Sequence, residues 1–186
     1  MEETTSGGAA GMVALPPTPP EVEKTMNLLV AIDDSDESFH ALQWVLDKII
    51  LKQGSVSEAG TDPRQSKVVT IVHVMEPLPR YAFPGGYAVV ESASKALEQN
   101  ASRILSRAFE MCREKSLKAK TLILEGDPKD RICRAVEEMN INLLAIGSRG
   151  LGQIKRTFLG SVSDYCAHHA KCPVLVVKPP PTPKKT

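Results

Sequence analysis

Aromatic residues are scarce, at 4% of a 186-residue chain, which excludes a base-stacking platform for single-stranded nucleic acid. Charge of one sign is also missing: 23 Lys and Arg stand against 22 Asp and Glu. No overall field draws a phosphodiester backbone or an anionic membrane surface, so neither partner is expected. No apolar run approaches the roughly 20 residues that a bilayer-crossing helix requires. The opening Met1-Glu2-Glu3 lacks the basic-then-apolar pattern of a secretory leader. The closing Pro179 to Thr186 matches no lipid-attachment or peroxisomal signal. The expectation is a cytoplasmic protein, with the nucleus left open.

Cysteine is sparse too. Cys112, Cys133, Cys166 and Cys172 make no CxxC pair and no periodic framework, so they read as reduced thiols. Cys166, His168, His169 and Cys172 match no common zinc spacing, and adjacent histidines on one helix face different directions. No protein-held metal site is expected.

What remains is ordinary globular material, 42% apolar and 24% charged. Residues 1–24 are rich in Gly, Thr, Pro and Glu and should be a disordered tail, as should 179–186. Between them, residues 25–178 form one domain without internal repeats. Leu28 to Ile32 is a short, continuous apolar run, the pattern of a strand buried on both faces. Asp34 or Ser35 can cap a helix that places Phe39, Leu42, Leu46 and Ile49 on one side. Lys52 to Ser66 reads as a surface loop, and Val68 to Val74 as a second strand.

A long connection, Met75 to about Val90, carries Tyr81 and Tyr87 and is either an exposed loop or a lid. The helix after it aligns Leu97, Ile104, Leu105, Ala108 and Cys112. Thr121 to Leu124 is strand three. Asp127 caps a third helix with Pro128 at its first position and Ile132, Ala135, Val136 and Met139 inward. Leu143 to Ile146 is strand four, Ser161 to about Ala170 helix four, and Val174 to Val177 strand five. Five apolar strands alternating with helices predict a doubly wound parallel sheet. In such a sheet, ligands lie beyond the carboxyl ends of the strands, where the strand order reverses.

The loop after strand four has the most chemistry in it. Gly147-Ser148-Arg149-Gly150 is followed, after nine residues, by Gly160-Ser161-Val162-Ser163. Glycines admit an anion close to backbone N–H groups, and two hydroxyls stand at a positive helix start. The pattern suits a phosphate chain. A Walker A loop is excluded because no glycine precedes Lys-Ser or Lys-Thr. A dinucleotide fingerprint is excluded because the first turn, Ile32-Asp33-Asp34-Ser35, contains no glycine.

The G-x2-G-x9-G-[ST] pattern stands within a frame: Val30-Ala31-Ile32-Asp33, then His73-Val74, then Cys172-Pro173-Val174-Leu175-Val176-Val177. Framed in this way, the sequence from about Asn27 to Lys178 resembles the universal stress protein family in its ATP-binding type, closest to plant single-domain members. The resemblance implies an adenine nucleotide α-hydrolase-like sheet with strand order 3-2-1-4-5, in which strands one and four are neighbours. It implies ATP or AMP as ligand, with Ala31, Ile32 and Asp33 at the adenosine and Asp33 on the ribose hydroxyls. Val74 would pack on adenine, and Ile146 and Gly147 would sit near the ribose. Gly150, Gly160, Ser161, Val162 and Ser163 would hold the phosphates, with Ser148 and Arg149 in the same loop.

Other readings stay open. Asp33 can cap the first helix, Arg149, Lys155 and Arg156 can be solvated surface, and His73 can be a satisfied core histidine. Gly126-Asp127-Pro128 is a helix start that can also reach the rim of the crevice. The apolar strand five would be an exposed edge, which favours a homodimer through that strand, a pairing the resemblance also implies; the Pro-rich tail folding over it is the alternative. A slow ATPase is the second functional reading, with magnesium on the phosphates and help from Ser163. It has no Walker lysine and no nucleophile beside a base. A receiver-like phosphoacceptor domain is the third, and it lacks an acceptor Asp directly ending strand three.

Overall fold

A computed structural model describes residues 26–50, 68–78, 87–150 and 159–180. The expected tail 1–24, the loop 52–66, Tyr81, Lys155, Arg156 and residues 181–186 lie outside the described residues. The elements are β1 (Asn27–Ala31), α1 (Asp36–Val45), β2 (Val68–Met75), α2 (Tyr87–Glu114), β3 (Ala119–Glu125), α3 (Pro128–Glu138), β4 (Leu143–Gly147), α4 (Ser161–His169) and β5 (Val174–Val177). A π-helical turn, Leu46–Ile50, extends α1.

The five strands make one sheet in the order β3-β2-β1-β4-β5, and every pairing is parallel. Successive side chains of a strand point to opposite faces, and β1 feeds two cores accordingly. Leu28, Val30 and Ile32 pack with Phe39, Leu42, Leu46, Ile104 and Ala108 beneath α1 and α2. Leu29 and Ala31 pack with Ile132, Ala135, Val136 and Cys166 beneath α3 and α4. A strand covered on both sides has to be apolar throughout, which explains the run Leu28 to Ile32.

Helix starts follow local chemistry. Ser35 caps α1 by accepting from Ser38 N, and Asp127 caps α3, where its carboxylate accepts from Lys129 N at 2.8 Å with Pro128 next. Two boundaries differ from the sequence pattern. The helix expected after Val90 already begins at Tyr87. β3 is longer than expected, and Thr121, Leu122 and Ile123 are exposed because the strand lies at an edge of the sheet. Among the described residues, no helix is long and apolar enough to cross a membrane.

Candidate functional site

The register sets the two strand ends side by side. Ala31 of β1 pairs with Ile146 of β4, so the chain leaves both strands at one level, Asp33 on one side and the Gly147–Gly150 bend on the other. Gly147 is closed in by backbone: a Cβ there would stand 3.1 Å from the Glu37 carbonyl and from Arg149 O. At Gly150 an added Cβ would collide with Asp33 Oδ2 and lie 3.3 Å from its Cγ. The glycine is what allows the loop to lie against the carboxylate.

Between these ends opens a cleft of about 790 Å³, within the size of small-molecule sites. Ala31, Ile32 and Asp33 form one wall, Val74 and Ile146 the apolar end, and Gly147, Arg149, Gly150, Gly160, Ser161, Val162 and Ser163 the loop side. Of the described loop residues singled out from sequence, Ser148 is the one that does not line the cleft. It is 2% exposed and its backbone joins the parts: its N–H donates to Val177 O at 2.8 Å, and its carbonyl accepts from Gly160 N at 2.8 Å. Side-chain identity at this position is hidden from the cleft because β5 and the α4 start close over it.

Ser163 differs from Ser161 in the same way. Ser163 is buried, and its hydroxyl lies 3.1 Å from Ser148 O and 2.9 Å from Gly160 O, tying the loop to the first turn of α4. Ser161 is exposed at the mouth. Gly160 is the α4 N-cap and supplies no side-chain cap to the first-turn N–H groups, which border the cleft. Those groups and the helix dipole put positive potential at this end of the cleft, which the first-turn Asp164 partly offsets.

Asp33 is part-buried and also organises the α1 entrance. Its Oδ1 accepts from Ser35 N at 3.1 Å and from the Ser35 hydroxyl. Its own N–H donates to Ser38 Oγ at 3.2 Å. The capping reading and the cleft reading of Asp33 therefore coexist: Oδ1 faces the helix start and Oδ2 faces Gly150.

Pro128 lines the cleft, as the rim reading of Gly126-Asp127-Pro128 allowed, and sequence reasoning missed several other lining residues: Ser38, Val72, Glu76, Ile132, Leu159 and Asp164. Their signal was present only as strand and helix periodicity, which does not say which face meets a cavity. His73, read as a core histidine, is half-buried and also lines the cleft. Its Nδ1 lies 2.9 Å from Ile32 O; a carbonyl only accepts, so that nitrogen carries the proton. This bond fixes the imidazole across the β1–β2 seam.

The sheet order and layering are those of the adenine nucleotide α-hydrolase-like fold. The universal stress protein family model matches residues 24–178, and the chain belongs to that family. It is 31% identical over 149 residues to a universal stress protein A-like protein of Arabidopsis thaliana, covering 74% of this chain and 76% of the relative. A universal stress protein family member from Arabidopsis thaliana, solved with AMP bound, superposes with a TM-score of 0.59 at 25% identity, covering 86% of this chain and 97% of that one. Universal stress protein UspA from Lactobacillus plantarum gives a TM-score of 0.63 at 22% identity, covering 83% and 98%.

Proposed function

We propose that the β1–β4 cleft binds an adenine nucleotide, ATP or AMP, and that the protein acts as a nucleotide-responsive regulator in a stress response. The observation that carries this reading is the contact between Gly150 and the Asp33 carboxylate. It puts an acceptor for ribose hydroxyls beside the glycine loop that lines the same cleft. A solved relative with AMP bound supports the same ligand class.

In this assignment Ala31, Ile32 and Val74 take the purine against apolar surface, and Ile146 and Gly147 flank the ribose. Asp33 accepts from the ribose hydroxyls, a task for which an ionised carboxylate offers only acceptors. The N–H groups at Ser161 and Val162, with the Ser161 hydroxyl, take the phosphates, and Gly160, whose own N–H is held by Ser148 O, lets them approach the helix start. Arg149, which lines the loop side, adds positive charge there. Ser163 acts by holding the loop to α4, since its hydroxyl already sits on two carbonyls. Magnesium would ride on the phosphates themselves. Homodimerisation through β5, the edge strand beside β4, completes the proposal.

Two measurements test it together: mass spectrometry of small molecules released from purified protein, and calorimetric titration of stripped protein with AMP and ATP. One nucleotide per chain is the expected result. No saturable binding of either nucleotide at millimolar concentration would sink the assignment.

A further inference from the structure

Three of the four cysteines, scattered in sequence, converge on the core layer behind the cleft. Cys133 follows the cleft-lining Ile132 on α3, and Cys166 lies one helical turn beyond the cleft-lining Ser163 on α4. Their sulfurs are 4.0 Å apart. Cys166 is fully buried, while Cys133 and Cys172 are half-buried at the border of the same apolar cluster. Cys112 is fully buried too, but in the opposite core layer. All four are free cysteines; among the described residues, no group of three or more His, Cys, Asp or Glu is placed to hold a metal ion.

We propose that Cys133 and Cys166 form a redox-responsive dithiol whose closure to a disulfide clamps α3 to α4 along the wall of the cleft. The two sulfurs, 4.0 Å apart, need a shift of about 2 Å to reach the bonding distance of about 2.05 Å. Cys133 is the sulfur that small oxidants reach, and Cys166 is the resolving partner held dry behind it. Burial pushes the Cys166 thiol up to about 12. Burial also raises Cys133, and Asp130 and Glu137 add to that, but the hydrogen bond it shares with Cys166 opposes them. Cys133, the more exposed of the two sulfurs, is the one placed to ionise and react first.

With hydrogen peroxide as the oxidant, the Cys133 thiolate attacks one peroxide oxygen. The O–O bond breaks, hydroxide leaves and takes up a proton to become water, and Cys133 becomes a sulfenic acid. The Cys166 sulfur then attacks the Cys133 sulfur. An S–S bond forms, the S–O bond breaks, and the oxygen leaves as a second water with the Cys166 proton. In sum, two thiols lose two electrons and one peroxide becomes two waters. A dithiol reductant reverses the change by exchange.

The test uses the full chain, reduced, freed of reductant and treated with near-stoichiometric hydrogen peroxide without nucleotide, so its outcome does not depend on ligand binding. The intact mass should fall by about 2 Da, the loss of two hydrogens. Non-reducing peptide mapping should join the Cys133 peptide to the Cys166 peptide. The oxidised form should melt roughly 5 °C or more above the reduced form, and dithiothreitol should abolish the difference. Cys133→Ser should stop the mass change, and Cys172→Ser should leave it intact; both sites are half-buried, and thermal melts check folding. A mapped bond that includes Cys172 or Cys112, oxidation confined to sulfinic acid, or a linked form that melts no higher would overturn the proposal.

Discussion

Gly150 lies so close to Asp33 that a single added carbon would strike the carboxylate oxygen. Two strand ends from distant parts of the chain are thereby held in contact at the floor of one cleft, and the contact depends on a hydrogen being the glycine side chain.

Gly150→Ala should separate the two ends. AMP affinity is expected to fall at least about tenfold, the loss of one well-formed polar interaction, while the melting temperature moves by only a few degrees. Gly150 has no positive φ to lose, so the effect should come from the collision alone. Isothermal titration beside a thermal melt checks it; unchanged affinity would show that the contact is incidental to binding.

Asp33→Asn separates capping from ribose recognition. The amide keeps an oxygen for Ser35 N, whose 3.1 Å bond organises the α1 entrance. It also replaces an acceptor with a donor. AMP binding should weaken by about 10- to 100-fold, the range for hydrogen bonds to a charged group. The variant should discriminate much less between AMP and its 2′,3′-dideoxy analogue. A variant that melts lower yet retains full discrimination would reduce Asp33 to a helix cap.

β5 tests the dimer. Pro173 and Val177 turn their carbonyls toward β4, bonding Leu144 N at 3.0 Å and Ser148 N at 2.8 Å. Strand alternation then turns the Val176 N–H to the open edge. Val176→Pro removes that donor while sparing the ladder to β4. Sedimentation equilibrium should find the parent chain as a dimer, and the variant should dissociate at least about tenfold more readily. A monomeric parent protein ends the β5 assignment.

Acid stability should carry a signature of Asp47. Its carboxylate accepts from Lys115 Nζ at 2.6 Å and from Gln43 Nε2 at 2.8 Å, linking the end of α1 to the end of α2. The Lys115 bond, then the Gln43 bond, hold its pKa below the ordinary 3.8. A folded pKa lower than the unfolded one gives stability that is present above the unfolded value and lost as pH falls through the folded value. The loss therefore belongs below about pH 4. The pair is partly exposed, so the effect is small and salt-sensitive. Melting curves from pH 6 to 2.5 should show a shallower acid decline in Lys115→Met; parallel curves would dismiss the pair.

Much of the fold was legible in the residues themselves. The run Leu28 to Ile32, Asp127-Pro128 and Val174 to Val177 each fall where the pattern put them. The glycine-hydroxyl loop was legible for the same reason: its chemistry is local. The exposed face of β3 was not, because exposure depends on being last in the sheet. Nor was the inward position of Ser148, which is closed over by β5 and the start of α4. His73 reads alike as core or cleft until its bond to Ile32 O is known.

The chain on its own therefore determined which segments become strands and helices, and which loop gathers glycines and hydroxyls ahead of a helix start. Those properties arise from neighbours within a few residues: alternation of apolar side chains, caps, and glycine. Only tertiary structure decided that Asp33 meets Gly150 and that Cys133 meets Cys166, 33 residues away. Strand order and helix packing bring such pairs together, and no short-range pattern encodes the distance between groups that the chain leaves far apart.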